Sequence, residues 1–257
     1  MGLLKTETLK HFISFLLTLL CAFCLVVVLR IGVFDMLTIP LDGEQPVLLQ
    51  GDRVLVNKWA YGLRRPFCQW GGYERYAAQK AFRGDWIALN RPDVSPNALP
   101  DSSQLCVGQV LACPGDTIWM GMQGRVSTRR DYSRGCIWPL VVPARGKFVR
   151  ITPWSADLYA LTIKRHEVVE QAEVKNDSLV VDGLKTEYFR FHRDYYWVIS
   201  GDEANLYDSR TFGFVPFEFV LGKAVSVAYS LDTSKPWYRQ WRWKRMFRPV
   251  GDVTEEQ

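Results

Sequence analysis

The chain has 257 residues, 48% of them hydrophobic and 14% aromatic, with ten tryptophans and a formal net charge of +5. That apolar content excludes a disordered chain. The mild charge, scattered outside Arg129-Arg130 and the run Arg239–Arg248, excludes the concentrated basic stripe of a nucleic-acid binder, so no nucleic-acid partner is expected.

Phe12–Leu29 carries no charge and is long enough to cross a bilayer core as a helix, with Arg30 snorkelling at its far end. No small-residue cleavage site follows it, so an uncleaved anchor is expected in place of a signal peptide. Lys5 and Lys10 favour a cytoplasmic N-terminus, although Glu7 and Arg30 blur that charge signal. The expected organisation is a cytoplasmic N-terminus (1–11), a transmembrane anchor (12–34), a body (35–236) and a basic-aromatic tail (237–257). The bilayer is thus one expected partner, with a single pass through the inner membrane and the body on its outer, periplasmic face.

From Gln50 the texture is β. Val54–Val56, Trp86–Leu89, Cys106–Leu111, Thr117–Met120, Lys147–Ile151, Ser178–Asp182, Tyr195–Ile199 and Lys223–Tyr229 read as short strands bounded by Gly, Pro or Asp turns. Asp182-Gly183 predicts a two-residue hairpin. Trp154–Glu170 reads as a helix, with Leu158, Leu161, Ile163 and Val168 at helical spacing and Ser155 and Asp157 as cap candidates. Tyr73–Phe82 reads as a short helical turn, and Arg91–Ser103 as a surface loop. The tail, Trp237–Arg245, fits either a membrane-interface role or a C-terminal strand with a partly packed amphipathic surface. Six cysteines and three distant histidines give no paired metal-ligand spacing, so no metal and no cofactor are expected.

Five blocks punctuate the body: Ile39-Pro40 leading to Gly51-Asp52; Arg83-Gly84-Asp85; Pro114-Gly115-Asp116; Gly201-Asp202 with Asp208-Ser209-Arg210; and Gly213-Phe214-Val215-Pro216. Singly each is weak. In this order behind an N-terminal anchor, the set resembles the type I signal peptidases, membrane-bound serine proteases of peptidase family S26 with a Ser/Lys dyad. Val142–Gly146 and Asp194–Trp197 resemble the longer Bacteroidetes-type members in particular. The resemblance implies a mainly β, signal-peptidase-like (LexA-like) fold of antiparallel sheets with one inserted helix, behind an N-terminal transmembrane helix.

Such a protease needs an attacking hydroxyl, a neutral lysine to take its proton, a hydroxyl to orient that lysine, and donors for the oxyanion. Family spacing counted from Ile39-Pro40 puts the nucleophile at Gly43 and the oxyanion hydroxyl at Leu41. Counted back from Pro114, the base falls on Gly108. The base-orienting serine falls on Leu206, ahead of Asp208. Every one of these positions lacks the required group, and Ile39–Lys58 contains no Ser, Thr or Cys. Catalytic inactivity is therefore the expectation, because losing one member of such a unit already removes most turnover. Cys106, on the same expected strand face as Gly108, has no base beside it in sequence and reads as a packed thiol.

Pro40, Leu41, Asp42, Gly43, Glu44, Cys106 and Gly108 would then line a cleft that holds an extended peptide by edge-strand pairing. The implied role is an accessory partner that binds signal peptides of preproteins or pairs with an active signal peptidase. Two alternatives are an active endopeptidase with an unrecognised nucleophile and a structural envelope protein on the same fold.

Overall fold

A computed structural model describes residues 2–38, 48–49, 51–65, 73–92, 105–133, 135–200, 208–232 and 234–251. It opens on helix α1 (Gly2–Gly32), which runs into β1 (Phe34–Thr38). Then come β2 (Asp52–Asn57), β3 (Leu63–Arg64), β4 (Arg75–Tyr76), β5 (Trp86–Asn90) and β6 (Leu105–Ala112). An inserted half follows, with β7 (Thr117–Met120), β8 (Val126–Ser127), β9 (Trp138–Val141), β10 (Phe148–Arg150) and helix α2 (Ala156–His166). It continues through β11 (Ala172–Lys175), β12 (Ser178–Val181), β13 (Leu184–Thr186) and β14 (Tyr188–Arg190). The chain returns by β15 (Tyr195–Ile199), the short helix α3 (Ser209–Phe212), β16 (Val215–Pro216) and β17 (Val220–Ser230).

The main sheet is antiparallel throughout, in the order β1-β2-β17-β5-β6-β15-β16. Alternation sorts its side chains onto two cores. Val54, Val56, Trp86, Ala88, Val107 and Val227 pack on one face. Ile87, Leu89, Val110, Val198 and Val215 pack on the other. β5 is buried along its whole length because it lies between β17 and β6 with a core on each side. A third core belongs to the inserted half, where α2 and strands β7, β9 and β10 close around Tyr159, Phe191, Trp197 and Phe214. Its rings meet edge-on or stacked, as at Trp197–Phe214 (5.3 Å, 76°) and Tyr159–Phe214 (5.6 Å, 16°).

Three Gly-Asp blocks build one turn repeated. In each, the Asp N–H donates to the carbonyl three residues back: Asp52 to Leu49 (3.0 Å), Asp85 to Phe82 (3.1 Å) and Asp116 to Cys113 (3.0 Å). The glycine takes positive φ (+86° at Gly51, +89° at Gly84, +93° at Gly115), as the third residue of a type II turn must. The aspartate carboxylate then accepts the N–H of that same first residue, at 2.9, 3.0 and 2.8 Å. Each turn launches a strand: β2, β5 and β7. Local chemistry alone thus fixes where three strands begin.

The helix and hairpin readings meet different outcomes. Asp182-Gly183 turns β12 into β13 with φ of +48° and +82°, as a two-residue hairpin with two left-handed positions needs. Helix α2 is shorter than Trp154–Glu170: Pro153–Ser155 is a 3₁₀ turn with a Thr152/Ser155 capping box, and the helix ends at His166. Its buried stripe is Ala156, Tyr159, Ala160 and Ile163. Leu161 and Val168 are exposed, Val168 by 91%. Leu158 and Ile163 do pack on the core, whereas Leu161 and Val168 mislead: two alanines on the inner face let the helix sit close, and the Tyr159 hydroxyl reaches the Val141 carbonyl (2.7 Å). The expected helical turn at Tyr73–Phe82 is not formed: the stretch contains the two-residue strand β4, paired with β3, and otherwise turn and irregular backbone.

At the N-terminus, the apolar side chains of α1 from Phe12 to Val26 are exposed. Among the described residues no helix is long and apolar enough to cross a membrane. At the other end, residues 237–251 run back along β17. Val227 exchanges backbone bonds with Arg248 and Phe247 (2.9 and 2.7 Å), and Val250 is buried in the core behind it. Arg245 reaches the wholly buried Asp52 carboxylate at 2.7 Å, so the C-terminal segment braces the first Gly-Asp turn. The outward aromatics of this segment, Trp237, Trp243 and Phe247, are exposed, and Trp241 stacks on Trp243 at 5.5 Å.

Two outcomes follow from this packing. An added Cβ at Gly84 meets nothing within 4 Å, whereas one at Gly51 lies 1.9 Å from the Leu231 carbonyl oxygen. In urea unfolding, Gly84→Ala is expected to cost only the ~1–2 kcal/mol of a left-handed alanine, and Gly51→Ala clearly more. Second, His166 is buried against Phe219 and Tyr195, and burial, with Arg193 and Arg165 nearby, pushes its pKa down from 6.5 to about 3. Below pH 6.5 the unfolded chain binds a proton there that the folded chain refuses. Stability should therefore fall as pH drops from 6.5 towards 3, by at most ~1.4 kcal/mol per pH unit from this group. Denaturant melts across that range should show a shallower slope in His166→Phe.

Candidate functional site

The candidate cleft divides at the boundary of the described residues. Pro40, Leu41, Asp42, Gly43, Glu44, Gly201, Asp202 and Leu206 lie outside them. The base position, the turns and the Asp208-Ser209-Arg210 block lie within.

Gly108 sits in the middle of β6, opposite Ile87 of β5. Alternation along β6 points Cys106, Gly108 and Val110 to one face, the one carrying Ile87, Leu89 and Val198. Cys106 packs against that core, as the sequence suggests for a structural thiol. Cys113, a little further on, donates its S–H to the Ala81 carbonyl (3.5 Å). Burial, reinforced by Asp116, pushes its thiol pKa up, away from the thiolate a nucleophile needs.

The space over Gly108 is taken. A Cβ built there lies 2.5 Å from Val198 Cγ1 and 2.9 Å from the Ile199 carbonyl oxygen. Both atoms belong to β15, which pairs with β6 through Val198–Val110 and Ile199–Gln109, with a register shift between Trp197 and Val198. A lysine at this position has no room for its first side-chain carbon, let alone its amine. Sequence spacing names Gly108 as the site of a missing base; it does not name Val198 as the group that fills the space.

The Asp208-Ser209-Arg210 block holds that closure in place. The Val198 N–H donates to Ser209 Oγ (2.9 Å), and the Ser200 N–H donates to Asp208 Oδ2 (2.9 Å). The Asp208 carboxylate is buried and caps α3 by accepting from the Arg210 N–H (2.9 Å). It also receives the Arg210 guanidinium through Nε (3.0 Å) and Nη2 (2.7 Å). Three consecutive side chains thus pin the end of β15 over Gly108 by hydrogen bonds to Val198, to Ser200 and to one another. Ser209 is spent on the Val198 amide.

The other blocks are structural as well. Asp85 receives the Tyr61 hydroxyl (2.9 Å), the Phe82 N–H (3.0 Å) and the Lys223 ammonium (2.7 Å). Burial pushes the Asp85 carboxyl up, but these three donors outweigh it and hold its pKa below the usual value. Burial and the neighbouring carboxylate drive the Tyr61 phenol well above its ordinary range. Arg83, named with this block, is exposed. Pro114-Gly115-Asp116 forms the turn from β6 into β7. No cluster of metal-ligating side chains occurs among the described residues, and Cys106, Cys113 and Cys136 remain thiols.

Comparison with known proteins adds to this geometry. Residues 12–229 match the family described as "Signal peptidase, peptidase S26". The signal peptidase I of Buchnera aphidicola (subsp. Acyrthosiphon pisum) is 22% identical over 259 residues, covering 90% of this chain and 79% of that protein. That of Aquifex aeolicus is 25% identical over 219 residues, covering 75% of each chain. That of Haemophilus influenzae is 22% identical over 282 residues, covering 96% of this chain and 78% of its own.

The closure over Gly108 can be measured directly. Gly108→Ala should cost ~1–3 kcal/mol through overpacking against Val198, read as a shift in denaturant midpoint. In a double-mutant cycle, Val198→Ala should recover part of that loss, giving a favourable coupling that two independent sites would lack.

Proposed function

This chain belongs to the signal peptidases of peptidase family S26, and on that premise we propose that it is a non-catalytic member that captures signal peptides of preproteins and serves an active signal peptidase in the same membrane. The observation that carries this reading is the filled base position. Gly108 lacks the lysine, and Val198 occupies the place its side chain would need. A vacated position could regain its base by one substitution; this one cannot without moving β15. The glycine at position 43 and the leucines at 41 and 206 point the same way, because no hydroxyl stands where the family chemistry requires one.

What the fold keeps is consistent with capture. The Gly-Asp turns, the sheet and the pinned end of β15 preserve the scaffold on which an extended peptide pairs by its backbone. The apolar stretch Phe12–Leu29 supplies the expected tether. In this reading the helix crosses the cytoplasmic membrane once, and the body faces outward, where preproteins emerge.

The test is a cleavage and capture assay on the intact chain in detergent, with a fluorescent preprotein carrying a standard signal peptide. The expected result is retention of the preprotein without cleavage. The Gly43→Ser/Gly108→Lys variant should also fail to cleave and should melt earlier than the natural chain. Cleavage by the natural chain, at a rate that one substitution within it abolishes, would overturn the proposal in favour of an active peptidase.

A further inference from the structure

The two-stranded ribbon of β10 and β14 carries a surface that the cleft reading does not use. Among the described residues these strands pair only with each other. Val149 and Phe189 turn inward and join the core of the inserted half. The opposite face presents Phe148, 68% exposed, and Tyr188, 54% exposed, together with the exposed Arg150 and Arg190. The register sets Phe148 across from Arg190 and Arg150 across from Tyr188. Each guanidinium therefore has a ring opposite it and another two residues along its own strand. Arg145 and Lys147, both exposed, stand in the turn that leads into β10. Among the described residues, none of Arg145, Lys147, Arg150 and Arg190 is held in an ion pair.

The backbone of β10 is also open on one side. The Phe191 N–H donates to the Lys147 carbonyl and the Ile151 N–H to the Glu187 carbonyl, so Lys147, Val149 and Ile151 point their amide groups at β14. In an antiparallel pair the alternate residues point the other way. The amides of Phe148 and Arg150 therefore face an edge that no described strand covers. Exposed aromatics and arginines are the residue types that dominate binding energy at protein interfaces. An uncovered strand edge is a template for an added strand.

We propose that the β10 edge of this ribbon docks an extended, acidic segment of a partner protein, added as a third strand. A carboxylate of that segment faces Arg150, and an apolar side chain two residues away on the same face meets Phe148. Arg190, Arg145 and Lys147 supply the surrounding positive field. Charge selects an acidic partner, and the open amides select a peptide. An anionic bilayer or a nucleic acid answers the four cations but leaves the edge N–H and C=O groups unpaired. The site is on the inserted half, distinct from the candidate cleft, and it does not depend on whether the cleft is active.

The experiment uses the intact chain in detergent micelles and a fluorescent peptide of sequence Glu-Thr-Leu-Thr-Glu-Thr-Leu-Thr-Glu, which alternates acid and apolar groups on one face. The expected result is saturable binding that weakens about tenfold or more in Arg150→Glu, with an unchanged melting temperature because the position is exposed. A peptide with Lys in place of each Glu should bind Arg150→Glu better than the natural chain. A backbone N-methylated version of the acidic peptide should lose binding, since it cannot pair with the edge. Equal binding by Arg150→Glu, or by the N-methylated peptide, would overturn the proposal. So would an outcome in which phosphatidylglycerol vesicles or an oligothymidylate bind in an Arg150-dependent way and the acidic peptide does not.

Discussion

The approach of β15 to β6 at Gly108 is the constraint on which the candidate site depends. The strands lie so close there that a Cβ at position 108 would meet Val198 Cγ1 at 2.5 Å, and Gly108 is the residue at which sequence spacing leads one to expect a base. The contact is not an isolated coincidence of packing. Val198 is held over Gly108 by Ser209, Ser200 is held by Asp208, and Asp208 is neutralised by Arg210. A buried carboxylate left without its guanidinium would be costly, on the order of several kcal/mol. The Asp208-Ser209-Arg210 block is thus also the clamp that keeps the space over Gly108 filled.

The same economy appears in the Gly-Asp turns. Each uses a positive-φ glycine to reverse the chain and an aspartate to satisfy the amide that the reversal leaves behind. The three then diverge by what else they bind. Asp52 takes Arg245 from the C-terminal segment, Asp85 takes Lys223 from β17, and Asp116 serves only its own turn among the described ion pairs. The first two fasten the end of the chain to strands formed near its start. A scaffold braced in this way draws its shape from turns and ion pairs that lie apart from Gly108.

Much of this was legible in the sequence where the cause is local. The turns, the Asp182-Gly183 hairpin and most strands of the main sheet announce themselves through residues adjacent in the chain. Family membership was legible from the order of the blocks. The face of α2 was legible only in part: Leu158 and Ile163 pack on the core, but alanine, a weak hydrophobic signal, fills the tight helix contact, while the stronger signals Leu161 and Val168 lie outside. β4, β9 and β14 escaped notice because each exists through its partner and not through its own pattern. Val198 could not be found at all: its role comes from a register shift in β15 and a glycine on a strand distant in sequence. A missing side chain can be read from spacing, but what moves into its place is decided by pairing.

That distinction bears on how the two halves of the body divide their work. The main sheet carries most of the blocks, and its interior is closed by Val198 over Gly108. The inserted half has a core of its own, built on α2 and its aromatic cluster, and it turns outward a ribbon whose cations form no ion pair among the described residues, Arg190 donating instead to the Gly146 carbonyl (3.2 Å), and whose β10 edge no described strand covers. Interaction free energy is available where polar groups and apolar rings remain unanswered within the molecule, and on this chain that condition holds on the ribbon rather than at Gly108.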